Sequence, residues 1–271
     1  MQALENFAAL VADCLGSQGS HGFAVSLVTG LRRLTPIDDA TVLYYGDGDL
    51  PDIVYREVPA RDGADTLERF LQGPFLLDPY YQAAQAGRFG LFRLDEVAPE
   101  RFRESEYYRG WYRSCGYSDE CGYLVDLGAG AFINIALGRL ARRRFSARQT
   151  ALLHSVGPAI EALCLQHWTG RAGAGSGVRG ELQEALEAFG SGLLTNRERQ
   201  VVNLVLHGHS GKSAAEQLGI AAETVKLHRK HAYAKLDVGS QAELFNLFLE
   251  SVMQAGDGHR GALHQKGRGA P

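Results

Sequence analysis

A chain of 271 residues has room for two domains at roughly 100–200 residues each. Its apolar fraction of 45% and charged fraction of 22% are those of an ordinary globular protein, and a net charge of −3 does not advertise a polyanion partner for the chain as a whole. No run reaches the ~18–20 consecutive apolar residues of a membrane span.

The opening MQALENFAALVADCLG carries Glu5 and Asp13 and no Lys or Arg, so it lacks the basic start of a secretory signal. It reads instead as an amphipathic helix over residues 3–15, and a second helix follows at 22–34. ATVLYYGDGDLPDIVYREV, residues 40–58, has two β-rich runs around a Gly/Asp/Pro turn and predicts a hairpin. Helical segments are expected at 66–71, 78–86 and 99–112. Residues 120–127 and 131–139, parted by Gly128-Ala129-Gly130, predict a second hairpin. The segment 146–168 starts on Ser146, a good N-cap, and carries an apolar face through Leu152, Leu153, Val156, Ile160, Leu163 and Leu165. Pro158 is expected to kink or divide it. This order implies an antiparallel sheet with helices on its faces, an α/β/α sandwich.

Residues 169–180 (TGRAGAGSGVRG) have Gly at positions 170, 173, 175, 177 and 180 and almost nothing apolar to bury. Such a run behaves as a flexible tether. With the short helix expected at 181–189 it divides the chain into a domain at 1–168, a linker at 169–190 and a second domain at 191–252. The Gly/His/Lys-rich residues 253–271 read as a disordered tail. Cys14, Cys115, Cys121 and Cys164 form no C-x-x-C pair, so reduced thiols in a cytoplasmic protein are expected.

Local rules divide the second domain into four short helices, making the whole an α+β protein with an all-α C-terminal part. Thr195 with Glu198 is a capping box, and Val201, Val202, Leu204 and Val205 form the first helix's core face. Gly208 ends that helix. Ser210 caps the second, which stops at Gly219. The third runs over about 222–236, and Ser240 with Glu243 opens the fourth. Lys226, Arg229, Lys230 and Lys235 concentrate positive charge on the third helix, with His228 and His231 beside them. Two helices joined by a tight turn, the second carrying the charge, follow the helix-turn-helix plan. On that plan Thr224, Val225, Lys226, Leu227, His228, Arg229 and Lys230 enter the major groove, while Lys212 and Lys235 suit the flanking phosphates. A helical bundle with a solvated basic face is the structural alternative.

The ordered residues Leu194-Thr195, Arg197-Glu198, Gly208, Ser210, Lys212, Ala215, Thr224-Val225-Lys226, His228, Lys235-Leu236, Val238 and Ser240 resemble the LuxR-type helix-turn-helix without a gap. The resemblance implies base contacts at Lys226, Leu227 and Lys230, and phosphate contacts at Thr224 and neighbouring basic residues. Gly211 and Ser213 replace the family's commoner Asn and Glu. Ala221 stands where a Ser or Thr cap is usual, a change that costs about 1 kcal/mol.

The order helix, helix, hairpin, helices, hairpin, helix in the first domain resembles the GAF/PAS-like sensor of such regulators, including acyl-homoserine-lactone receptors. Asp78-Pro79 matches a lactone-receptor detail. The tryptophan expected about fifteen residues on is replaced by Arg93, and RDGADTLERF lacks the upstream Tyr and Trp. The stronger signal is aromatic crowding between residues 78 and 123. Aromatic rings around a few fixed polar groups are the usual design of a small-ligand pocket. Candidate ligand residues are Asp78, Tyr80, Tyr81, Phe92, Trp111, Tyr112, Tyr117, Glu120 and Tyr123. Rings beside carboxylates also suit a cationic amine, whereas ordinary core packing is the structural alternative.

A one-component transcription regulator, working as a homodimer on double-stranded DNA under a small-molecule effector and possible contact with RNA polymerase, is the leading expectation. A ligand-independent regulator, whose first domain dimerises or binds a protein, and a lactone quorum-sensing receptor are the alternatives. No G-x-S-x-G, phosphate-binding glycine loop or metal-ligand cluster supports an enzyme, and neither cofactor nor metal is expected.

Overall fold

The computed structural model describes residues 1–46, 50–57, 70–71, 74–141, 143–168 and 189–251. The expected tether at 169–180, nearly all of the helix at 181–189, the tail at 253–271 and most of the helix at 66–71 lie outside them. The chain forms two compact units, one of residues 1–61, 80–97 and 116–175, the other of residues 62–79, 98–115 and 176–271.

In the first unit, helices α1 (Gln2–Gly16) and α2 (Phe23–Leu34) precede strands β1 (Asp39–Tyr45) and β2 (Asp52–Arg56). Helix α3 (Pro79–Gln85), strand β3 (Gly90–Arg93) and the single turn α4 (Leu94–Val97) follow. The unit closes with β4 (Asp119–Gly128), β5 (Ala131–Arg139) and α6 (Ala147–Trp168). The five strands form one antiparallel sheet in the order β2-β1-β5-β4-β3. Both expected hairpins are present. Strand β3 was not foreseen, because four residues are too few to show an alternation.

One sheet face is buried by α1, α2 and α6. Val42, Tyr123, Val125, Ile133, Ile135 and Leu137 pack there against Leu10, Leu27, Leu31, Leu153, Ile160 and Trp168. Each such side chain taken fully out of water contributes about 1.5–3 kcal/mol. Phe23 meets Trp168 edge-on with centroids 5.3 Å apart.

Helix α6 runs unbroken through Pro158, contrary to the expected division. Pro158 is exposed, so the carbonyl deprived of its amide partner can be hydrated. Ser146 caps the helix as expected, its Oγ accepting from Gln149 N at 3.3 Å while Ser146 N donates to Gln149 Oε1 at 2.8 Å.

In the second unit, the helix expected over 99–112 is broken. A 3₁₀ turn at Phe102–Glu104, helix α5 (Glu106–Gly110) and a 3₁₀ turn at Tyr112–Cys115 replace it. Ser105 has extended backbone, ψ 151°, and its hydroxyl accepts from Tyr108 N, so it restarts the helix instead of continuing it. The C-terminal helices are α7 (Asn196–Leu206), α8 (Gly211–Leu218), α9 (Ala222–Leu236) and α10 at 241–251. Among the described residues no helix is long and apolar enough to cross a membrane.

Candidate nucleic-acid interface and ligand face

The C-terminal helices are fixed by local chemistry. Thr195 Oγ1 accepts from Glu198 N and Glu198 returns the bond to Thr195 N, a complete capping box. Ser210 Oγ accepts from Ser213 N at 3.0 Å to start α8, which ends on Gly219 in the left-handed region at φ 63°. Ala221 offers α9 no side-chain cap. Ser213, one of the departures, places its hydroxyl 2.9 Å from His209 Nδ1. Val201, Val202, Val205 and Leu206 are buried, so Leu206 joins the core face and Leu204 is only half-buried.

Glu198 has a second task. Lys235 Nζ donates to its Oε2 at 2.7 Å, tying the end of α9 to the start of α7. That ammonium, followed by the Thr195 amide, holds the Glu198 carboxyl down to about 2. Lys235, expected as a phosphate contact, is therefore engaged inside the domain. Val225 is corrected likewise: at 2% exposed it faces α7 and α8 as core, not the groove of a duplex.

Lys226, Leu227, Arg229 and Lys230 are exposed, as is Lys212 on α8, while Thr224 and His228 are half-buried. Leu227 keeps 51% of its surface in water, unusual for a leucine on a packed helix. Lys226, Leu227, Lys230 and Tyr233 share one side of α9, where they line an open groove of about 920 Å³. Lys226 approaches Glu223 at 3.8 Å, with both side chains mostly exposed. This is a cationic helix face with an apolar centre, suited to phosphates, base edges and a thymine methyl.

The sheet face opposite the helices carries the aromatic site of the first unit. Tyr45 and Phe132, paired across β1 and β5, stack at 4.2 Å, with Tyr81 at 5.5 Å from Tyr45. Strand alternation places Leu43, Phe92, Glu120, Gly122, Leu124, Asn134 and Gly138 on the same face. The Tyr80 ring lies so close to Gly122 that a Cβ there would stand 2.6 Å from Cε1, and a Cβ at Gly138 would stand 2.5 Å from Tyr117 Cε1. Tyr117 donates its hydroxyl proton to the Asp39 carboxylate. Asn134 is 5% exposed in the centre of this face, and its Oδ1 is buried with no hydrogen-bond partner among the described residues.

The nine proposed ligand residues are not all brought together. Tyr80, Tyr81, Phe92, Tyr117 and Glu120 belong to this face. Tyr123 points the other way, into the helix-side core, donating to Leu153 O at 2.6 Å, and burial pushes its phenol up. Asp78, Trp111 and Tyr112 lie in the second unit, among Phe70, Phe102 and Tyr107. There Tyr107 donates to Asp78 Oδ2 at 2.7 Å, and Trp111 stacks on Phe70 at 4.5 Å.

Arg93, standing in the place of the expected tryptophan, is an anchor. Its Nη2 meets both Asp119 oxygens at 3.1 Å and its Nη1 donates to Phe145 O at 3.1 Å. Tyr45, Phe132 and Asn134 were not among the candidates. The available signal was Asn134 itself, a carboxamide inside the apolar run FINIAL. Cys14, Cys121 and Cys164 are buried free thiols; burial raises Cys14 to about 11 and Cys121 to about 12, which makes these two inert.

Residues 192–248 match a family model described as bacterial regulatory proteins, luxR family. A protein named as an HTH-type transcriptional regulator in the exeN 3′ region of Aeromonas salmonicida is 36% identical over 190 residues, 66% of this chain and 96% of that protein. The HTH-type transcriptional regulator Mb0914c of Mycobacterium bovis is 42% identical over 66 residues, which is 24% of this chain but 8% of that one. Among solved structures, the VqsR LBD domain of Pseudomonas aeruginosa has 27% identity and a TM-score of 0.51, covering 58% of this chain and 93% of that one.

Proposed function

This chain belongs to the LuxR family of bacterial transcription regulators, and from that premise we propose that a small molecule bound in residues 1–168 controls how residues 191–252 engage double-stranded DNA. The reading places base contacts on Lys226, Leu227 and Lys230, and phosphate contacts on Lys212, Thr224, Arg229 and the edge of His228. Two C-terminal domains reading two half-sites make a homodimer in the cytoplasm the working form, with RNA polymerase a further contact.

The observation that carries the ligand half is Asn134. A buried carboxamide oxygen without a donor costs about 1–3 kcal/mol, and a ligand N–H or O–H would remove that cost. The surrounding Tyr45, Tyr80, Tyr81 and Phe132 supply apolar and aromatic surface for the rest of such a molecule. The ligand can switch DNA binding only by favouring one arrangement of the chain over another. A ligand-independent role in dimerisation is the second reading. The close seating of Tyr80 on Gly122 and Tyr117 on Gly138 favours it, since both rings already occupy the sheet.

Native mass spectrometry of the purified chain, wild type against Asn134→Leu, separates the two. A bound small molecule retained by the wild type and lost by the variant supports the sensor. Identical apo masses for both, with unchanged dimer content, support the second reading.

A further inference from the structure

Residues 98–115 fold in the same compact unit as the helix-turn-helix. Gly208, in the turn between α7 and α8, packs against them. Gly208, at φ +85°, has no space for a side chain: a Cβ would stand 2.9 Å from Ser105 Cβ, 3.4 Å from Pro99 Cγ and 3.6 Å from Phe102 Cα. A second contact lies at the other end of the segment, where a Cβ on Gly110 would be 3.7 Å from Phe245 of α10.

Between these contacts is a recess of about 190 Å³, with Arg101, Glu104 and Arg109 on one side and Ser210, Gly211 and Arg229 on the other. Ser210 and Gly211 are the N-terminus of α8, where free backbone amides attract a phosphate. Arg229 belongs to the DNA-facing helix.

The two arginines that the segment brings to that recess are each paired with a carboxylate of the segment itself. Arg101 is paired with Glu104, and Arg109 with Glu106 at 3.3 Å. Tyr233 on α9 also feels Glu106: burial first, then that carboxylate, push its phenol up against the opposing pull of Arg229. Acidic groups thus stand where a DNA backbone would pass. Behind them Phe102 packs on Tyr107 and Tyr112, and Tyr107 holds Asp78.

We propose that residues 99–109 are an intramolecular clamp that covers the N-terminus of α8 and the Arg229 edge of α9, so that this segment and the DNA phosphates compete for one surface. The docked form is the low-affinity form. Linkage then requires that DNA binding loosen the clamp as much as the clamp weakens DNA binding. The proposal rests on the DNA-binding reading of α8 and α9 and deepens it by naming what opposes binding.

The test uses the full wild-type chain and a random-sequence DNA duplex at low salt, followed by amide hydrogen exchange. The expected result is protection of 210–235 together with faster exchange in 99–109, because the amides released from docking open more often. Protection of 99–109 would make the segment part of the DNA interface and overturn the clamp, as would no change there. If 210–235 gains no protection either, the DNA-binding reading fails instead.

A disulfide gives the second arm. Glu104→Cys with Gln241→Cys, in a Cys115→Ser background, spans the recess from both walls. Oxidation is expected to weaken DNA binding about tenfold relative to the same protein reduced, within the ordinary range for coupled sites. Failure to cross-link, or equal or tighter binding when oxidised, overturns the proposal.

Discussion

Tyr107→Phe removes one oxygen atom from the aromatic cluster of the second unit and leaves its ring. Tyr107 is 1% exposed and Asp78 8% exposed, and the hydroxyl donates to Asp78 Oδ2 at 2.7 Å. A short O–H bond to a carboxylate is among the stronger hydrogen bonds in proteins. Such bonds contribute about 1.5–3 kcal/mol net. The ring contacts with Phe102 and Trp111 survive the substitution, so little packing is lost with the bond. With an m value of about 1–3 kcal/mol/M, the urea midpoint of this unit should fall by roughly 0.5–3 M. Combining Tyr107→Phe with Asp78→Ala in a double-mutant cycle isolates the pair, and a coupling above about 0.5 kcal/mol is expected for groups in direct contact. Additive losses, with coupling near zero, would refute the assignment of Asp78 as the partner that holds Tyr107.

Two smaller predictions concern the C-terminal helices. Ala221→Ser should stabilise the domain by about 1 kcal/mol, because position 221 has the extended backbone of an N-cap, ψ 146°, and lacks only the oxygen; a scanning-calorimetry transition that does not rise counts against this. Glu198, held at about 2 against an ordinary 4.5, gives stability that is fully present above pH 4.5 and lost as pH falls from there to about 2. Acid unfolding followed by circular dichroism should show that loss in the wild type and a flatter profile in Glu198→Gln.

Features written in neighbouring residues were legible before any coordinates. Thr195 with Glu198, Ser210 and Ser146 each cap a helix by reaching three residues along the chain, Gly219 closes one with left-handed backbone, and each acts as its type and position predict. Features set by distant partners were not. The tie between Lys235 and Glu198 spans 37 residues, so charge alone made Lys235 look available to phosphate. Strand β3 exists because Leu91 and Phe92 find Tyr123 and Gly122 across the sheet, not because four residues prefer to be extended. Aromatic crowding between 78 and 123 located rings correctly but could not allot them. Tyr123 and Gly122 are adjacent in sequence and on opposite faces, and only a fixed register says which face carries which.

Much of the pattern that identifies the family therefore has a physical role different from that of the residues that would read DNA, although Lys226 belongs to both. Leu194 is 6% exposed, Thr195 caps α7, Glu198 caps it again and binds Lys235, and Val225 is core. These positions are constrained by folding, and a duplex need never touch them. Leu227 and Lys230 lie on the outer side of α9, and Lys226 pairs loosely with Glu223 at 3.8 Å with both side chains mostly exposed. Their cost to folding is small, so they can change without unfolding the domain. The motif's capping and buried positions consequently specify that a recognition helix is built, while on the reading proposed above operator preference is carried by Lys226, Leu227 and Lys230. Exchanging those three side chains for others should redirect base preference at little cost in stability, whereas exchanging Glu198 should cost stability before it alters preference.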